Sequence, residues 1–283
     1  TISFFIAILI SSENIEHPFS SSINSYTKTP NEGRMFINMD LSNNKFVSKY
    51  DNSGEKISLK NNRYKNETTT IGVIYHGTKG AGYKLKISSA KRIYNDEDQN
   101  KDALTYSFGT YFLWNEMFGR LKPAVMDGYQ YTFPSNRIIT GLNFVSGEND
   151  SNNISQALGV TVAMDFIIGP KCILSNMLDA EVSDDDNLYD TVISSKMIYD
   201  LNDKISLGTG LDYRLQDDGN IAIITIEGGY QLKDLKYGNF SSTIQINPYF
   251  QKSIFGENMA IYRPVIFPNN INEMGLRLNI LFN

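Results

Sequence analysis

The 283-residue chain holds one cysteine, Cys172, and two histidines, His17 and His76. A single thiol excludes an intramolecular disulfide framework, and so few nitrogen and sulfur ligands leave no basis for a metal centre. No metal or other cofactor is therefore expected, and Cys172 reads as a packed thiol near a turn. Charge is also scarce: 20% of residues are charged, the formal net charge is −5, and no Lys- or Arg-rich cluster appears. That balance excludes nucleic acid as a partner class. Helical periodicity is missing too, since no long segment repeats apolar residues at i, i+3, i+4 and i+7. After the first ten residues, no stretch has the length and hydropathy of a transmembrane helix.

What is present favours strands and turns: 17 Tyr, 16 Phe, 21 Gly and 8 Pro. The fold class is all-β. In residues 157–168, Leu158, Val160, Val162, Met164, Phe166 and Ile168 alternate with Ala157, Gly159, Thr161, Ala163, Asp165 and Ile167. Period-two alternation also runs through residues 205–215, 222–232, 240–250 and 272–282. These segments have about the 9 to 11 residues that a tilted strand needs to cross a bilayer. Weaker patterns at 69–77, 81–91, 104–114, 123–133, 137–147, 173–182 and 190–201 bring the expected count to twelve. A hairpin within residues 34–60 would make fourteen. On this count the acidic insert NDEDQNKD (95–102) falls where a short turn belongs, at the opposite end from the other polar loops.

The sequence divides into three parts. Residues 1–12, beginning TISFFIAILI and reaching Ser11 and Ser12, read as a signal-peptide remnant clipped at its start. Residues 13–65 form a polar segment, a leader, a plug or an extra hairpin around GRMFINMDL (33–41). Residues 66–283 carry the strands.

Alternation has two mirror-image readings. In a soluble sandwich or small barrel the apolar face points inward, and in a membrane barrel it points to lipid while the polar face lines a lumen. Aromatics favour the membrane: Phe133, Phe166, Tyr199, Tyr230, Phe240 and Phe282 fall at one set of expected strand ends. Trp114, Phe144, Tyr213 and Phe250 fall toward the other. Rings with a polar tip settle at the headgroup layer, so two girdles are expected. An even strand count also permits the closed sheet that a bilayer demands.

The last strand, MGLRLNILFN, places Met274, Leu276, Leu278, Ile280 and Phe282 on one face. It resembles the C-terminal signature of Gram-negative outer-membrane β-barrel proteins, from which Asn283 departs by following the terminal aromatic. The resemblance extends to the general strand–turn pattern and singles out no subfamily. It implies an antiparallel transmembrane barrel in the cell outer membrane, with its C-terminus at the periplasmic end. It further implies that the barrel-assembly machinery reads the last strand, which closes the barrel against the first, and that membrane lipid and lipopolysaccharide surround the wall.

Under this reading the lumen carries Asp165, Asp212, Arg214, Glu227 and Arg277, joined by Lys84, Lys86 and Lys196. Charges at membrane depth must face water or each other. They form either a filter for polar solutes or mutually satisfied pairs that hold the wall. The expected function is a pore or transporter passing small polar or amphipathic solutes by passive diffusion. Three alternatives stand beside it. An adhesin or structural protein would act through loops 147–155, 183–189 and 253–271. A lipid hydrolase would need a centre near His76, yet position 78 is Thr78 and no His-x-Ser element is present. A secreted, soluble all-β binding domain would invert the faces. The carboxylates Glu148–Asp150, Asp184–Asp186 and Asp217–Asp218 read as solvated loop residues.

Overall fold

The computed structural model describes residues 35–60, 63–77, 81–94, 101–114, 124–126, 129–131, 136–148, 154–169, 172–183, 189–202, 204–216, 219–232, 235–237, 240–257 and 272–282. The expected signal remnant, Phe133, Thr78 and most carboxylates of the polar loops lie outside these residues. Twelve long strands dominate: β1 Met35–Phe46, β2 Tyr64–His76, β3 Ala81–Tyr94, β4 Lys101–Leu113, β5 Asn136–Glu148 and β6 Ile154–Gly169. They continue with β7 Cys172–Ser183, β8 Tyr189–Asp200, β9 Ile205–Gln216, β10 Gly219–Gln231, β11 Phe240–Glu257 and β12 Asn272–Phe282. Each pairs antiparallel with its neighbours in sequence, and β1 pairs with both β2 and β12. The sheet is therefore a closed up-and-down barrel. Closure leaves no ladder edge, which a bilayer without hydrogen-bonding solvent requires. Among the described residues no helix is long and apolar enough to cross a membrane; the strands do so.

The faces settle the mirror-image question. Leu158 and Val160 are 64% and 50% exposed, whereas Glu227 and Arg277 are each 3% exposed. A soluble core would show the reverse. Leu142, Leu207, Leu211, Ile226 and Met274 are likewise exposed, and Asn38, Thr161, Arg214, Gln245 and Asn279 are buried. On the described strands the outward rows are mainly apolar and the enclosed rows mainly polar.

Two features differ from the expectation while the count of twelve stands. Residues 123–133 supply no wall strand; Ala124–Met126 and Tyr129–Tyr131 pair only with each other. In the sequence an Asp127-Gly128 step lies between the two, a dipeptide that favours tight turns over a continuous strand. In its place Met35–Phe46, expected within the polar N-terminal segment, is the first wall strand. Its Met35, Ile37, Met39 and Leu41 alternate outward against Phe36, Asn38 and Asp40. The exchange restores the order of the connections. Residues 95–100 now join strands at the same end as 47–63, 149–153, 184–188, 217–218 and 258–271. The connections 77–80, 114–135, 170–171, 201–204 and 232–239 lie at the other end, beside the start of β1 and the end of β12.

After β1 the chain turns back as a small ribbon, Ser48–Tyr50 against Lys56–Ser58. Asp51 Oδ1 accepts from Ser53 Oγ at 2.7 Å and from the Glu55 amide at 2.8 Å, and Gly54 turns the chain at φ 78°. The Tyr50 hydroxyl reaches Ser253 on β11, two strands from β1, so the ribbon leans inward across the mouth.

Candidate functional site

The enclosed face of the barrel is the candidate site. Its densest part joins β1 to β10, β11 and β12. Arg277 donates from Nε to Asp40 Oδ2 and from Nη1 to Glu227 Oε2, both at 2.9 Å. Glu227 Oε2 also accepts from Lys196 Nζ on β8 at 2.9 Å. The guanidinium carbon sits 3.9 Å from the centre of the Tyr249 ring, a cation–π arrangement. The Tyr249 hydroxyl lies 2.9 Å from Asp40 Oδ1 and 2.9 Å from Glu273 Oε1. That ring occupies the space a Cβ at residue 275 would fill, which is why β12 carries Gly275 there. Gly208 makes equivalent room for the Glu227 stem. Toward the end where β1 starts and β12 stops, Asn38, Asn279 and Asn247 form an amide ladder over three strands, with Asn279 donating to Asn247 at 2.9 Å.

Other groups continue around the wall. Arg214 on β9 donates from Nε to both Asp190 carboxylate oxygens, at 2.8 and 3.0 Å, and also from Nη2. Ser194 donates to Asp212. Asn143 donates to Thr161 at 2.8 Å, and Thr161 to Asp179 at 2.7 Å. On β3, Lys84, Lys86 and Arg92 lie on the inward face, Lys84 in register with Ile74 and Gly109, Lys86 with Gly72 and Ser107, and Arg92 with Asn66 and Lys101. Lys84 is attracted to Asp179, and Lys86 to Asp179 and Asp40. Since β7 is four strands from β3, the attraction runs across the lumen.

The lining is not uniformly polar. Phe36, Ile74, Tyr111, Ile139 and Ala163 cluster, with Met177 against them. They occupy inward positions on β1, β2 and β4 to β7, forming an apolar half-collar. The lumen therefore offers charge on one side and hydrocarbon on another.

The structure brings together Glu227 and Arg277 of the expected lumen set, and places Asp212 and Arg214 on the same inward face. A direct ladder of these four does not form. Arg214 binds Asp190 and Asp212 takes Ser194, because register sets apolar Ile221 and Ile223 of β10 beside them and leaves their polar partners on β8. Asp165 stands in register with Arg137 and Ser175; its side chain is outside the description. Asp40, Asp179, Asp190, Tyr249 and Glu273 were not anticipated. Asp40, Asp179 and Tyr249 alternate with outward apolar residues in their own strands, and that is the signal that could have found them; Asp190 and Glu273 adjoin polar Thr191 and Asn272 and carry it more weakly.

On the outward face, Met274, Leu276, Leu278, Ile280 and Phe282 share one side of β12, with Phe282 opposite Met35 and Ser242. Tyr199 and Tyr230 are exposed at the end where β1 starts, where Tyr75, Tyr83 and Phe112 join them. Phe166 and Phe240 belong to strand ends on that side. Trp114, expected toward the opposite girdle, follows β4 at this end and donates to Thr140 at 2.9 Å. The cause is the misplaced 123–133 strand, which inverted the direction of β4. His76 ends β2 in register with Gly82, and its side chain is not described. Among the described residues no group of His, Cys, Asp and Glu is arranged to hold a metal ion.

No protein-family model matches the chain, and no curated protein matches it in sequence. Solved structures do resemble it. An outer-membrane channel from Pseudomonas putida F1 is 12% identical with a TM-score of 0.60, over 93% of this chain and 99% of that one. The β domain of a Bordetella autotransporter is 9% identical with a TM-score of 0.50, over 88% and 99%. The KdgM porin is 8% identical with a TM-score of 0.47, over 87% and 98%. At these identities the first two likenesses establish a fold. Fold and apolar exterior together identify an outer-membrane β-barrel.

Proposed function

We propose that the protein is an outer-membrane pore through which small polar or amphipathic solutes diffuse down their gradients. One observation carries the reading: the enclosed face bears charged and hydrogen-bonding groups around the wall, from Asn38 and Asn279 to Arg214 and Asp190. Ionised groups at membrane depth are expensive unless they face water, each other or a passing solute. The half-collar of Phe36, Ile74 and Tyr111 supplies an apolar track beside them and extends the solute class to amphipathic molecules. The β3 cations Lys84 and Lys86 set the sign of the filter from the inward face of β3, with Asp179 and Asp40 toward them across the lumen. No bond is made or broken in this function.

Planar-bilayer recording tests it. Folded protein should give discrete conductance steps, and Lys84→Ala with Lys86→Ala should move the reversal potential in a salt gradient toward cation preference. Folded protein that inserts and yields no steps would overturn the proposal.

A further inference from the structure

Among the described side chains, the outward face carries charge at one end only. Among the described side chains of the wall, the outward-facing charged ones are Lys45 on β1, Lys65 and Glu67 on β2, Lys91 on β3, Asp102 on β4, and Lys252 and Glu257 on β11, where a bulge sets Glu257 opposite outward Asn220. Arg63, exposed, immediately precedes β2. All lie toward the end that bears the acidic loops, on the continuous arc from β11 through β4. The remaining arc at that end presents Phe144, Leu158, Val182 and Leu211 instead. At the opposite end the described outward strand positions are uncharged and rich in Tyr and Phe.

Three facts make this arc a binding surface rather than scattered surface charge. The first is depth. Lys65 and Tyr75 are ten residues apart on β2. At about 3.4 Å per residue and a tilt near 45°, that is about 24 Å along the membrane normal, close to the roughly 25 Å of a barrel's apolar band. With the tyrosine girdle at one interface, the lysines stand at the headgroup level of the other. The second is register. Lys45 is directly opposite Lys65, a like-charge pair that a sheet tolerates poorly without an anion between. The third is imbalance. Glu67 sits between Lys65 and Lys91, Asp102 opposite Lys91 and Glu257 beside Asn220, so three carboxylates meet five cations.

The geometry points to a seat for phosphorylated glycolipid headgroups of the outer leaflet, the phosphates bridging Lys45, Lys65 and Lys91. A headgroup fits where a free anion does not, because its acyl chains lie along the exposed Leu41, Ile71 and Ile87 just below. It also fixes orientation: this end, with its longer polar loops, faces outward from the cell. The inference does not depend on pore activity.

The test uses whole folded protein in lipid-free detergent micelles, titrated with phosphorylated lipopolysaccharide and read by the rise in unfolding temperature. Dephosphorylated lipopolysaccharide and inorganic phosphate are parallel arms. Loss of each lysine should weaken binding about fivefold, so Lys45→Gln, Lys65→Gln and Lys91→Gln together should weaken it on the order of a hundredfold. Glu67→Gln with Asp102→Asn should tighten it. Lys204→Gln, at the opposite end, should do nothing. Heat-dependent gel mobility reports folding, and the three single variants carry the test if the triple does not fold. The assignment is overturned if the lysine variants bind as the parent does, if dephosphorylated lipid binds equally, or if inorganic phosphate displaces the lipid at low millimolar concentration.

Discussion

Replacing Arg277 with methionine asks whether the lumen beside β12 is dry or wet. The side chain has a relative exposure of 4%, binds Asp40 and Glu227 at 2.9 Å and covers Tyr249 at 3.9 Å. Truncation removes two charge-assisted hydrogen bonds of about 1.5–3 kcal/mol each and a ring contact of about 0.5–2 kcal/mol. Part is returned, because the guanidinium no longer has to be stripped of water. Neither acid is abandoned: Lys196 stays on Glu227 and the Tyr249 hydroxyl on Asp40. The net loss should therefore fall at the low end of the range for a broken buried pair, about 3 kcal/mol. Reversible urea unfolding from phospholipid vesicles measures it; with a slope near 3 kcal/mol/M the midpoint drops by about 1 M. Asp40→Asn combined with Arg277→Met should lose less than the sum of the singles by at least about 1 kcal/mol, since the two groups touch. A loss under about 1 kcal/mol for Arg277→Met, with no coupling to Asp40, is what a water-screened pair would give. That result would refute the account of this node as an enclosed network.

Two further outcomes follow from the same structure. Val160→Arg places a cation on the lipid-facing side midway along β6 and should destabilise the folded barrel by about 2–4 kcal/mol in vesicles; unchanged stability would mean that this face does not meet hydrocarbon. In the ribbon, the Ser53 hydroxyl and the Glu55 amide hold the Asp51 carboxyl below the ordinary aspartate range. A depressed value means the turn is stabilised above the unfolded pKa of about 3.9 and loses that support as pH falls through the folded value. Exchange protection of the Gly54 and Glu55 amides, corrected for intrinsic rates, should fall below pH 4 in the parent and be pH-independent in Asp51→Asn.

The segments that read most plainly as strands, 157–168, 205–215, 222–232, 240–250 and 272–282, lie within or nearly coincide with β6 and β9 to β12. They were legible because lipid demands an unbroken apolar row, and that row survives in sequence as strict alternation. β1 was obscured because its inward face carries Asn38, Asp40 and Asn44, residues with poor strand propensity that suit a hydrated lumen. The 123–133 stretch misled for the opposite reason, with strand-like composition around an Asp-Gly turn. Individual inward charges could be recognised, but not their partners. The pairing of Arg277 with Asp40 depends on which strand closes the ring, and no local pattern encodes contact between residues so far apart in sequence.

The closure of β1 on β12 also sets an order of events. Every other junction in the wall joins strands adjacent in the chain, so hairpins can zip locally as they emerge. The last ladder, in which Asn38 meets Asn279 across 241 positions, has to wait for both extremities. Until it forms, two unpaired backbone rims are exposed at once, each a template for a stray strand. Deleting either terminal strand would make that interval permanent, leaving an open sheet that neither water nor oil can accommodate.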